Sequence, residues 1–131
     1  MRQDRQHHGA VAWIGLLTAL GCAMLLSACH SEPYRLVPGG DPGQGKKDIV
    51  AYGCGSCHTI PGITNAQGTV GPPLYFWGRR SIIAGEVPNT PDWLVRWIEM
   101  PQAIEPGTDM PNLGVTEGEA KNIAAYLYTL H

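Results

Sequence analysis

Aromatic residues make up only 8% of the 131 positions, and no lysine or arginine run exceeds a pair. Nucleic-acid binding needs a clustered basic footprint, so that class of function is excluded. No segment keeps a strand's alternation long enough to propose a β-sheet, and Ser81 to Ala84 is too short. Neither an internal repeat nor a low-complexity tract is visible. A zinc site wants a second Cys/His pair, and from residue 29 onward the only histidines besides His58 are His30 and His131, one at each end.

What is present begins with an export segment. Met1 to His8 is polar and carries Arg2 and Arg5, and Ala10 to Leu26 is almost wholly apolar. A basic start, an apolar stretch and small residues after it form a secretory signal. The apolar stretch is also at the short limit for a membrane span, so a retained anchor competes with a cleaved signal. Leu26-Ser27-Ala28-Cys29 decides for cleavage, because it resembles a bacterial lipobox, in which the cysteine thiol takes up diacylglycerol. Cys22 is the weaker acceptor, with Ala19 where leucine is wanted. Each buried CH₂ of an attached acyl chain contributes about 0.8 kcal/mol to anchoring, and more than one chain makes it stable. The expected organisation is a lipoprotein-type signal peptide over 1–28, a Pro/Gly-rich tether over 29–43 and one domain over 44–131. From Cys29 onward there are 103 residues with seven Lys/Arg against ten Asp/Glu, a small and mildly acidic chain.

Once Cys22 and Cys29 are placed in the leader, only Cys54 and Cys57 remain. They stand in Cys54-Gly55-Ser56-Cys57-His58, the attachment signature for one haem c. The two-residue spacing matches the separation of the two haem vinyl groups, and His58 follows as the iron ligand. Gly55 and Ser56 are small enough to let the backbone lie near a porphyrin edge. A thioredoxin-like pair would need a βαβ context, which is missing, whereas a structural disulfide fits an oxidising compartment. Export favours the haem reading, because bacterial haem c is attached outside the cytoplasm. A buried haem would also supply apolar surface that so small a core lacks.

The domain is expected to be all-α. Asp41-Pro42 caps a helix with Gly45, Ile49 and Tyr52 on one face and Gly53 at its end. Thr90-Pro91 caps a second, with Leu94, Trp97 and Ile98 inward and Pro101 as its stop. Thr116-x-x-Glu119 is a capping box before a helix running to the C-terminus, with Ile123, Tyr126, Leu127 and Leu130 on one face. The sixth iron position is open to His, Met, water or nothing. Of the two methionines outside the leader, Met100 reads as core filler. Met110 lies in the Pro/Gly-rich loop Pro106-Gly107-Thr108-Asp109-Met110-Pro111, where core filling is not expected, and is the better ligand.

These residues resemble the class I, mono-haem cytochrome c family over roughly Gly43 to Leu130. Gly45-Lys46-Lys47 resembles the start of its first helix. Gly71-Pro72-Pro73-Leu74 resembles the turn whose proline carbonyl accepts the axial histidine's Nδ1–H, which places Pro72 behind His58. Trp97-x-x-x-Pro101-x-x-x-x-Pro106-Gly107-Thr108-x-Met110 keeps the family's spacing, and puts Trp97 and Thr108 among the haem-binding candidates. Arg79 or Arg80 resembles the arginine that pairs with a haem propionate, and both also read as surface arginines. Tyr126 resembles the aromatic packed on Gly45.

The resemblance implies a small cytochrome c fold around one covalent haem c, with His58 and Met110 as axial ligands. It further implies a one-electron carrier rather than an enzyme. The expected setting is the periplasmic side of the cell membrane, between a quinol-oxidising complex or dehydrogenase and a terminal oxidase. A permanent haem c subunit of a larger membrane oxidoreductase is the alternative, and a haem sensor or peroxidase-like enzyme a distant one. The chain departs from the mitochondrial-like pattern by an extra residue between Gly45 and Cys54 and a short stretch from Ser81 to Asn89. It also lacks the lysine ring used for docking. Ile60, Pro61, Ile63 and Ala66 either form an apolar docking rim instead or pack within their own loop.

Overall fold

Asp41 and Pro42 start the first helix as their chemistry dictates. The Asp41 carboxylate accepts the Gln44 N–H at 3.0 Å, and Pro42 sits where no backbone donor is needed. Helix α1 runs Pro42–Ala51, caps at Tyr52 and leaves through Gly53 at φ 68°, a left-handed conformation that glycine adopts freely. In the computed structural model, which describes residues 35–131, two further helices follow, α2 over Pro91–Glu99 and α3 over Glu117–Leu127. The expected signal peptide, the lipid acceptor Cys29 and the first part of the tether lie outside the described residues.

Helix α3 begins with the expected reciprocal cap. Glu119 N–H reaches the Thr116 hydroxyl, and the Glu119 carboxylate accepts the Thr116 N–H at 3.0 Å. Helix α2 starts at Thr90-Pro91 as read, but the Thr90 side chain makes no capping bond. Its carbonyl accepts the Leu94 N–H at 2.9 Å, and Pro91 supplies the helical φ. The C-terminal helix stops at Leu127 rather than running to the end. Tyr128, which the apolar stripe did not include, is its cap and is fully buried.

Helices α1 and α3 pack against each other, and α2 packs against α3. The first contact depends on Gly45, where a Cβ would lie 1.9 Å from the Asn122 carbonyl oxygen. The family resemblance pairs Gly45 with Tyr126. The structure puts the backbone of Asn122 and Ile123 nearest to the glycine, while the Tyr126 hydroxyl donates to the Pro61 carbonyl at 2.7 Å. Asn122 also joins the helices through its side chain, accepting the Asp41 N–H at 2.9 Å and donating to Asp48 at 3.2 Å. Asp48 is a buried carboxylate whose other oxygen accepts from the Gln44 amide at 2.8 Å, so it is hydrogen-bonded as burial requires.

The helical reading holds, with one small addition. Ile82–Ile83 (β1) and Val87–Pro88 (β2) form a two-residue antiparallel ladder, pairing Ile82 with Pro88 and Ile83 with Val87. Its turn places both Ala84 and Gly85 at positive φ and closes with Glu86 N–H on the Ile83 carbonyl at 3.0 Å. Of the expected tether, residues 35–43 fall in the described region and pack on the domain. Val37 is buried in the core, and a Cβ on Gly40 would lie 2.5 Å from the Lys121 carbonyl.

Candidate functional site

The three helices surround a cavity of about 410 Å³. Ile49 of α1, Leu94 and Ile98 of α2, and Ile123 and Leu127 of α3 supply apolar walls, with Leu74 from the loop between. These side chains sit where helical periodicity turns each apolar stripe inward.

Cys54, Cys57 and His58 form one margin. Cys54–Ser56 is a 3₁₀ turn, and His58 N–H donates to the Cys54 carbonyl at 3.0 Å, which gathers the five-residue motif into one coil. The thiols of Cys54 and Cys57 are not joined to each other. Burial pushes the Cys54 thiol pKa up, against a smaller lowering by its backbone and with a further push from Cys57.

His58 Nδ1 lies 2.7 Å from the Pro72 carbonyl oxygen. A carbonyl only accepts, so Nδ1 carries the proton and Nε2 keeps its lone pair for a metal. The 71–74 loop is pinned there by Gly71 N–H on the Cys57 carbonyl at 2.9 Å and Leu74 N–H on the Thr59 carbonyl at 2.8 Å.

Met110 lines the same cavity. Its N–H donates to the Thr108 hydroxyl at 3.2 Å, and its carbonyl accepts from the Gln102 amide at 2.7 Å. Thr108 therefore shapes the methionine's loop as well as lining the cavity. Met100 is absent from the cavity wall and 46% exposed, so the two methionines separate cleanly by position. Gln102 carried no sequence signal, because its role depends on a loop that folds back eight residues later.

Trp97 lines the cavity from α2, as expected. The two candidate arginines part company. Arg80 lines the cavity, donates to the Pro73 carbonyl and, at 3.4 Å, to that of Tyr75, and lies 4.9 Å from the Trp77 ring centroid. Desolvation lowers its pKa. Arg79 is outside the wall and rests over the Phe76 ring at 5.6 Å. Trp77, not among the sequence candidates, is a buried wall residue whose indole N–H has no partner among the described residues. Its place just before Gly78-Arg79 was the only available hint. Ile60, Ile63 and Ala66 are buried, which decides for loop packing over a docking rim.

This donor set fits a haem c. It combines a largely apolar cavity, two thiols at one edge, an imidazole whose Nε2 keeps its lone pair, a thioether, and, among the described residues, an arginine with no carboxylate partner and a buried N–H lacking an acceptor.

The family model described as Cytochrome c matches residues 42–131. The chain belongs to the cytochrome c family. It is similar to cytochrome c2 of Rhodopila globiformis, at 38% identity over 106 residues that cover 71% of this chain and 96% of that protein. It is also similar to cytochrome c oxidase subunit 2 of Alkalihalophilus pseudofirmus, at 32% identity over 88 residues covering 66% of this chain and 25% of that subunit. The chain thus matches about a quarter of the oxidase subunit's length. As a class I mono-haem cytochrome c, the protein carries one haem c attached through the Cys54–His58 motif and transfers electrons.

Proposed function

We propose that this cytochrome c is a membrane-tethered one-electron carrier, taking electrons from a quinol-oxidising complex or dehydrogenase and passing them to a terminal oxidase. The observation that carries the reading is that His58 and Met110 both line the same cavity as the Cys54/Cys57 pair. His58 and Met110 would both hold the iron of a bound haem, which supports a carrier over a substrate-binding enzyme. A bound haem c supplies the Fe(III)/Fe(II) couple, and His/Met ligation raises its potential.

The protein's own residues do the rest. Pro72 fixes the His58 tautomer, while Thr108 and Gln102 hold the Met110 backbone. Apolar walls exclude water from the centre. Arg80 and the Trp77 N–H offer a cation and a donor to the carboxylates at a haem's edge. Lipid on Cys29 and delivery to the periplasmic face complete the proposal, supported by the lipobox-like Leu26–Cys29 sequence.

A second reading, a haem c subunit held permanently on an oxidase, is favoured by one structural feature. Residues 35–43 pack on the domain, so only residues 29–34 separate the proposed lipid from it. Six residues reach about 20 Å even when fully extended. Partners are then restricted to complexes in the same membrane, which agrees with the similarity to an oxidase subunit.

Carbon monoxide mixing tests the carrier reading. The reduced protein is expected to form no rapid CO adduct, whereas fast binding contradicts a closed site and favours a sensor or peroxidase-like role. Co-purification of a terminal oxidase at stoichiometric yield in mild detergent selects the subunit reading. Mass spectrometry of the mature N-terminus tests lipid on Cys29, and an unmodified N-terminus refutes it.

A further inference from the structure

The carbonyl oxygen of Arg80 accepts two side-chain hydrogen bonds from residues outside the cavity wall. Arg35 Nη1 lies 3.0 Å from it, and Asn89 Nδ2 also lies 3.0 Å from it. The same Asn89 amide donates to the Trp77 carbonyl at 3.1 Å. One buried side chain therefore ties both ends of the turn that runs from Trp77 to Arg80, and Arg80 N–H closes that turn on the Trp77 carbonyl at 3.1 Å.

The orientation of the Asn89 amide is determined by chemistry. Only the NH₂ can donate to two carbonyls, so Oδ1 must accept, and it takes the Tyr128 hydroxyl at 2.8 Å. Tyr128 is fully buried, and burial pushes its phenol up to about 12, which keeps it a donor. Arg35 lies over the same Tyr128 ring at 5.8 Å.

We propose that Arg35 and Asn89 are positioning residues for Arg80, gripping its carbonyl so that its guanidinium stays in the cavity wall. A long, charged side chain loses rotamer freedom and water when held there, and a fixed backbone reduces what must be ordered. Arg80 points inward while its neighbour Arg79 does not, and the two-donor grip falls on Arg80 alone of the pair. The inference deepens the reading of Arg80 as the cation facing a haem carboxylate and rests on it.

The test is a double-mutant cycle read as the midpoint potential of the purified holoprotein. A positive charge near the site favours the reduced form, so Arg80→Met is expected to lower the potential. Arg35→Met is expected to lower it by part of that shift, and to cause no further shift when added to Arg80→Met. Arg35→Lys, which keeps a donor, restores some of the loss. Asn89→Ser is expected to move the potential the same way. Should that variant not fold, Tyr128→Phe replaces it, since it frees the Asn89 amide without cutting a cavity. Faster hydrogen exchange of the Arg80 Nε–H in Arg35→Met, about tenfold or more, is the accompanying NMR signature.

If Arg80→Met leaves the potential unchanged, the reading of Arg80 fails and this inference falls with it. If Arg80→Met lowers the potential but Arg35→Met has no effect, or has an equal effect in both backgrounds, the positioning role alone is overturned. The equal case is that of a simple distant charge.

Discussion

His58 and Gly71 are fitted so closely that a Cβ on the glycine would lie 2.3 Å from His58 Cε1. The absent side chain lets the 71–74 loop pass along the imidazole and bring the Pro72 carbonyl to Nδ1. The proton that fixes the ligand's tautomer is thus placed by a neighbouring glycine as much as by the proline.

Gly71→Ala is therefore expected to displace either the loop or the ring. Overpacking of this kind costs about 1–3 kcal/mol. Denaturant unfolding of the holoprotein should show the loss, together with a changed potential as the Pro72 contact lengthens. Wild-type stability in this variant would mean that the loop adapts freely.

Two further glycines give opposite signs in one experiment. Gly45→Ala drives a methyl group into the Asn122 backbone and is expected to cost more than 1–3 kcal/mol, because a backbone neighbour yields less than a side chain. Gly118 lies in the first turn of α3 with nothing within 4 Å, so Gly118→Ala is expected to stabilise by about 0.4–1 kcal/mol. Urea titrations of the two variants check both signs together.

The Tyr52–Glu119 contact predicts pH dependence at both ends of the scale. The Tyr52 hydroxyl donates to Glu119 at 2.7 Å. The Thr116 side chain first, then Tyr52 and the Thr116 backbone, hold the Glu119 carboxyl below its usual range. A depressed carboxylate contributes stability above its unfolded pKa of about 4.3, and loses it as pH falls through the lower folded value. The Tyr52 phenol is raised, chiefly by the hydrogen bond to Glu119. Its contribution is complete below about pH 10 and fades as pH rises through the folded value. Thermal unfolding against pH should show a shallower acid limb in Glu119→Gln than in wild type. Superimposable acid limbs would remove Glu119 as a source.

Features written in a few consecutive residues were legible in the sequence. The Asp41-Pro42 start and the Thr116–Glu119 box each hold their chemistry within one turn and form as read, and the Cys54–His58 motif and the Met110 loop, equally local, bring their side chains to one cavity. Contacts between distant segments were not legible. Asn89 meets Tyr128 across 39 positions, and nothing local marks either residue. The hairpin was not legible because each of its strands is only two residues long, too short to show alternation, and Ala84, which takes a left-handed conformation, is not a residue that announces a turn. Proline and glycine density made residues 29–43 look like free tether, yet Gly40 uses its missing side chain to approach Lys121. The choice between Arg79 and Arg80 needed the cavity itself, since adjacent residues differ only in which side of the turn they leave.

The pairing of Met110 with His58 across one cavity is the central claim, and the near-infrared Fe(III)–thioether band of the oxidised holoprotein tests it most directly. The band is expected in wild type, unchanged in Met100→Ala and abolished in Met110→Ala. A band that survives Met110→Ala, or disappears in Met100→Ala, would contradict the assignment.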